Sequence, residues 1–114
     1  MASENNVRSL VAQAWNLHRQ GNVTASVNEF EKVVQQYPQD IDANYGLGLS
    51  QKAAGQTAAA INTFKHTLEI IKESQQKEDA HRSTDTENVK TPEDDRLLML
   101  QRMVNQRLAE TQNS

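Results

Sequence analysis

Two segments of this chain align with each other when one is shifted by 34 positions: Gly21 falls on Gly55, Ala25 on Ala59, Val27 on Ile61, Asn28 on Asn62 and Phe30 on Phe64. A period of this length is that of one supersecondary unit, which cannot bury its apolar face alone and must stack on its neighbour. The spacing within each copy makes the unit helical. Val7, Leu10, Val11, Ala14, Leu17 and His18 recur at helical intervals as far as Gln20, and Gly21 and Asn22 interrupt them. A second helix starts at a Thr24 cap, turns Val27, Phe30, Val33, Val34 and Tyr37 inward, and ends before Pro38. Asp40 caps a third over 41–54, in which Gly46 and Gly48 lower helix propensity but remove the bulk that keeps helices apart. After the Gly55–Gln56 turn, a fourth helix begins at a Thr57 cap, carries Ile61, Phe64, Leu68 and Ile71 as its apolar stripe, and continues beyond Ser74.

Composition agrees with an all-α chain, because aromatic residues make up only 4% of it and strands draw heavily on them. The absence of cysteine excludes disulfides, thiolate chemistry and cysteine-ligated metals. A net charge of -3, with lysines and arginines scattered, gives no general attraction to phosphate backbones or anionic membranes. No stretch reaches the roughly 18 uninterrupted apolar residues of a membrane span, and the N-terminus has no basic leader followed by an apolar run. The expectation is a soluble, cytoplasmic protein with neither nucleic acid nor membrane as partner.

Residues 7–40 and 41–74 resemble two tetratricopeptide repeats. Ala14 and Gly48, the turn glycines Gly21 and Gly55, Ser26 and Ala60 at the close helix crossing, Phe30 and Phe64 in the core, and Pro38 after the second helix match that family's pattern. Leu10 and Asn44 stand where the family places tryptophan, Gln13 where it places leucine, Gln51 where it places tyrosine and Lys72 where it places proline. The resemblance implies antiparallel helix pairs in a right-handed superhelical stack of about five helices.

Outside the repeats, residues 1–6 are expected to be a flexible N-terminus, 75–92 a helix extension and polar connector, 93–110 a C-terminal capping helix and 111–114 a flexible tail. Thr91 as cap, Pro92 in the first turn and the acids that follow mark where the last helix begins. Its apolar residues Leu97, Leu98, Leu100, Met103, Val104 and Leu108 need a partner surface. Either they cover the open edge of the second repeat, or they dock on another subunit and form a homodimer.

Function is sought on surfaces, since the chain carries no catalytic arrangement, phosphate-binding glycine loop or calcium loop. His18, His66 and His81 are too far apart in sequence to suggest a metal site, and no cofactor is expected. The family resemblance implies a non-catalytic adaptor or regulatory module that takes a peptide or helix of another protein in its concave groove. It places Arg8, Val11, Ala12, Trp15, His18 and Arg19 along the first repeat's share of that groove. Asp42, Tyr45, Gly46, Leu49, Lys52 and Ala53 form the second repeat's share. Val11, Trp15, Gly46 and Leu49 occupy inward positions where some relatives grip a terminal carboxylate with polar side chains, so no such clamp is expected. Trp15 serves either as a ligand contact or as packing under the C-terminal helix, and Tyr45 as core or groove wall. The alternative function is a homo-oligomeric assembly module that uses the repeat edges and Leu97, Leu100, Met103, Val104 and Leu108.

Overall fold

The computed structural model describes the backbone of residues 2–82 and 92–113, and the side chains of residues 7–77 and 95–113. Five helices follow one another: α1 (Ala2–Arg19), α2 (Val23–Gln36), α3 (Ile41–Ala53), α4 (Thr57–Arg82) and α5 (Pro92–Gln112). Each packs on the next in the chain, and α1 also touches α3, so the two helical hairpins stack as the all-α repeat pattern requires.

The α1–α2 and α3–α4 turns are built identically, 34 residues apart. In the first, the Gly21 amide donates to the His18 carbonyl at 3.0 Å and the Asn22 amide to Leu17 at 2.9 Å. In the second, Gly55 donates to Lys52 at 3.1 Å and Gln56 to Gln51 at 2.8 Å. These paired bonds cap the carbonyl end of each helix and need a left-handed residue, which the glycines supply at φ of 84° and 82°.

Several boundaries differ from the sequence expectation. The α1 helix begins at Ala2, so the expected flexible 1–6 segment is helical from residue 2 onward; no glycine or proline lies there to interrupt it. The cap of α2 is Asn22 rather than Thr24, because the turn already aims the Asn22 carbonyl at the Ser26 amide, 3.0 Å away, and the helix propagates from that bond. Asp40 caps α3 as expected, accepting from the Ala43 amide at 2.8 Å. His81, within the expected helix extension and polar connector, lies in α4, which continues past the end of its apolar stripe. The expected Thr91 cap and residues 83–91 of the polar connector lie outside the described residues. Within the expected 111–114 tail, Thr111 is buried in α5, its hydroxyl donating to the Arg107 carbonyl at 2.7 Å.

Helix α3 is the centre of the packing. Ala14, Val27, Phe30 and Leu47 form one buried cluster, and Tyr45, Phe64, Ile71, Leu97 and Val104 belong to a second, larger one. Phe30 and Phe64 are fully buried. The Phe30 ring of α2 lies over Gly46, where a Cβ would collide with it, and the Phe64 ring of α4 over Gly48, where a Cβ would lie 2.5 Å from Cε1. The bare backbone of α3 is therefore the seat for one ring from each repeat.

Two polar residues occupy places the family gives to aromatic ones, and both are buried and bonded. The Asn44 amide donates to the Pro38 carbonyl at 3.1 Å and the Asp40 carbonyl at 2.8 Å, pinning the α2–α3 corner. The Gln51 Oε1 lies 2.6 Å from the Thr63 hydroxyl of α4. These bonds offset the desolvation penalty that an unpaired Asn44 amide nitrogen or Gln51 amide oxygen would carry.

Phe30→Ala and Phe64→Ala should each lower unfolding free energy by about 3 to 5 kcal/mol in denaturant titrations. The ring seat makes a sharper forecast in a double-mutant cycle. Gly46→Ala should destabilise the wild type through overpacking, yet stabilise Phe30→Ala by up to about 1 kcal/mol, because the methyl then fills vacated space and alanine favours the helix. The same sign in both backgrounds would remove Phe30 from this contact.

Candidate functional site

Two contacts tie α5 to α3. The Arg107 guanidinium interacts with the Tyr45 side chain, and Glu110 Oε1 accepts from Lys52 Nζ at 3.2 Å. Both partners advance in the same direction along their helices, so α5 runs parallel to α3 as a third inner helix beside α1 and α3. On its α4 side, Leu97, Leu100 and Val104 are buried in the cluster of Phe64 and Ile71, and Leu108 packs against it. Gln75 donates to Gln101 at 3.2 Å along the same seam. Met103, expected among these contacts, is instead 36% exposed and Met99 is 56% exposed, because both lie outside the arc of α5 that meets α4.

The inner surface is consequently divided. Its open part is a groove of about 420 Å³. Val7, Arg8, Val11, Ala12, Trp15 and Arg19 line it from α1, and Asp40 and Asp42 from the start of α3. Val11 and Trp15 form its half-buried apolar floor, and Arg8, Ala12, Arg19 and Asp42 are exposed along it. Arg19 also donates to Asn16 at 2.8 Å, one turn back on its own helix. Val7 and Asp40 were legible only as a core residue and a cap. Val7 could have been found as the residue one turn before Val11, but Asp40 reaches the groove only because the α2–α3 corner approaches α1.

The covered part holds the other expected groove residues except Ala53, which is exposed at the end of α3. Tyr45 is buried, 8% exposed, with its ring in the core and its hydroxyl side met by Arg107, so it is core rather than a ligand contact. Leu49 packs partly buried against the same cluster, and Lys52 is engaged by Glu110. Gly46 is buried beneath the Phe30 ring. His18 is half-buried with Nδ1 3.3 Å from the Ser50 hydroxyl, an inter-repeat tie rather than an open binding group.

Trp15 is half-buried between the core and the groove. Its ring meets Phe30 edge-on at 5.3 Å and His18 at 5.6 Å, and lies 6.5 Å from Tyr45 in a tilted arrangement. It packs against both hydrophobic clusters and still faces the groove.

Charge gathers where α5 crosses α3. Arg107 donates to Glu110 at 3.0 Å, on the same oxygen that Lys52 reaches. The Arg107 bond first, and the Lys52 bond second, hold the Glu110 carboxyl below its ordinary value of 4.5. Arg107 is raised in turn, chiefly by Tyr45 and then by Glu110.

Among known families, the model described as tetratricopeptide repeat matches residues 8–40 and 42–69. Neither the curated proteins nor the solved structures compared with the chain gave a match.

The lowered Glu110 value has a definite pH sign. Its bonds stabilise the folded chain above 4.5 and are lost as pH falls through the lower folded value, when the carboxyl takes up a proton. Denaturant titrations below pH 4.5 should therefore show wild type losing stability faster than Glu110→Gln, by a small amount fitting an exposed pair. Parallel curves through this window would mean that Glu110 does not help to hold α5.

Proposed function

Because the chain belongs to the tetratricopeptide repeat family, we propose that it is a non-catalytic adaptor or regulatory module that binds a peptide or helix of another protein in the groove beside α1. The observation that carries this reading is the open apolar floor of Val11 and Trp15, flanked by Arg8 and Arg19 on α1 and by Asp40 and Asp42 at the start of α3. A half-buried tryptophan gives a ligand broad contact area at little ordering cost, and aromatic residues of this kind often dominate interface energies. The mixed charges at the rim favour orientation and selectivity over raw affinity. A cytoplasmic setting fits a cysteine-free chain in which no described helix is long and apolar enough to cross a membrane. The adaptor reading is preferred to homo-oligomeric assembly because Leu97, Leu100 and Val104, which would form the intersubunit seam, are occupied within their own chain.

Ala12 offers the test, being exposed in the groove wall and free of the core. A displayed library of random peptides should yield binders of the wild type, and their occupancy should be readable from Trp15, the single tryptophan. Ala12→Arg keeps a good helix former at the site but fills the groove. It should weaken those binders by about tenfold or more without altering the unfolding curve. Binders that tolerate Ala12→Arg fully would place the binding surface elsewhere.

A further inference from the structure

We infer that the bound segment leaves the α1 groove, crosses the N-terminal end of α3 and ends on Met99 and Met103 of α5, carrying a basic residue between two apolar anchors. This rests on the groove reading above and adds both a third helix and a sequence preference to it.

Among the described residues, Met99 and Met103 are the exposed large hydrophobics, and they sit one turn apart on α5. Met103 is one turn before Arg107, which interacts with Tyr45, and two turns before Glu110, which bonds Lys52. Residues spaced by four and seven share a helix face, so the two methionines extend the face that α5 turns toward α3. The register follows from the Lys52–Glu110 bond, which gives an offset of 110 − 52 = 58. Met99 therefore lies level with the first turn of α3, beside the α2–α3 corner, and Met103 one turn further along. The His18–Ser50 contact, an offset of 50 − 18 = 32, sets α1 against α3 in the same way and brings Arg8 level with Asp40.

One band thus runs across the inner surface, from Val7 and Val11 on α1, past Asp40 and Asp42, to Met99 and Met103. Packed helix axes are about 8 to 10 Å apart, so the band spans about 16 to 20 Å between α1 and α5. An extended segment of about six residues covers that distance at about 3.3 Å per residue.

Charge complementarity selects the middle of the segment. Asp42 is exposed and has no ion pair among the described residues, and Asp40 lies beside it with one carboxylate oxygen engaged in capping α3. Arg8 disfavours a cation on the α1 side, which puts the ligand's lysine or arginine over Asp42. Methionine suits the far anchor, since its flexible, polarisable side chain adapts to varied apolar partners.

The same peptide selection tests this. Peptides enriched on the wild type should share a basic residue between apolar ones, and Met99→Gln with Met103→Gln should weaken them about tenfold at unchanged stability, both sites being exposed. Asp42→Arg should reverse the central preference to acidic. If Ala12→Arg weakens binding but the methionine pair and Asp42 variants leave it unchanged, the groove reading stands and this extension is overturned. If none of the variants affects binding, or no sequence enriches, both fall. If light scattering shows that the methionine variant converts a dimer to monomer while peptide affinity holds, the methionines face a second copy and the inference is overturned.

Discussion

The structure depends on two aromatic rings seated on a helix that has no side chain to keep them away. Phe30 descends on Gly46 from α2 and Phe64 on Gly48 from α4, so α3 is held at close range on both sides. Glycine in a helix interior lowers stability by roughly 0.8 to 1.0 kcal/mol relative to alanine. Full burial of two phenylalanines outweighs that loss, since truncating one such ring typically removes about 3 to 5 kcal/mol. The rings also start a chain of aromatic contacts that joins the repeats. Phe30 meets Trp15, Trp15 lies 6.5 Å from Tyr45, and Tyr45 lies 6.3 Å from Phe64. Trp15 therefore has one surface committed to the core and another left for the groove, and its position is set by packing before any ligand arrives.

The departures from the family pattern are local solutions that shape the same groove. An aromatic side chain at Asn44 would fill space but leave the Pro38 and Asp40 carbonyls without this partner. The asparagine instead ties both into the α2–α3 corner. That corner carries Asp40 and leads into Asp42, so the buried amide sets where the acidic wall stands. At Gln51, the bond to Thr63 joins α3 to α4 by directed polarity in a core that is otherwise apolar. Each change is compatible with the fold because each buried amide is hydrogen-bonded to a neighbouring element.

The last helix converts a uniform concave surface into two unlike halves. Its α4-facing side is apolar and seals the second repeat, as the end of a repeat array requires. Its α3-facing side works through Arg107 and Glu110, which close over Tyr45 and Lys52 and leave the start of α3 open. The open groove is thereby confined to the end of the inner surface where α1 meets the start of α3.

Much of this was legible in the sequence. The helices, the repeat period, the turn glycines, the Asp40 cap and the paired phenylalanines follow from short-range rules of spacing, backbone freedom and capping, which act within a few residues and leave a periodic trace. The groove positions on α1 were readable for the same reason, since one helical face carries Arg8, Val11, Trp15 and Arg19 together. What the sequence left open depended on where α5 comes to rest. Tyr45 and Lys52 carry the same local signal whether they face solvent or another helix, and Leu97, Leu100 and Val104 have the same periodicity whether they seal their own chain or a second one. Docking α5 parallel to α3 decided these questions together, because burying its apolar stripe on α4 brings Arg107 and Glu110 to α3 and leaves Met99 and Met103 exposed. Such a choice joins residues 58 positions apart, Lys52 to Glu110, and no rule of local spacing reaches that far.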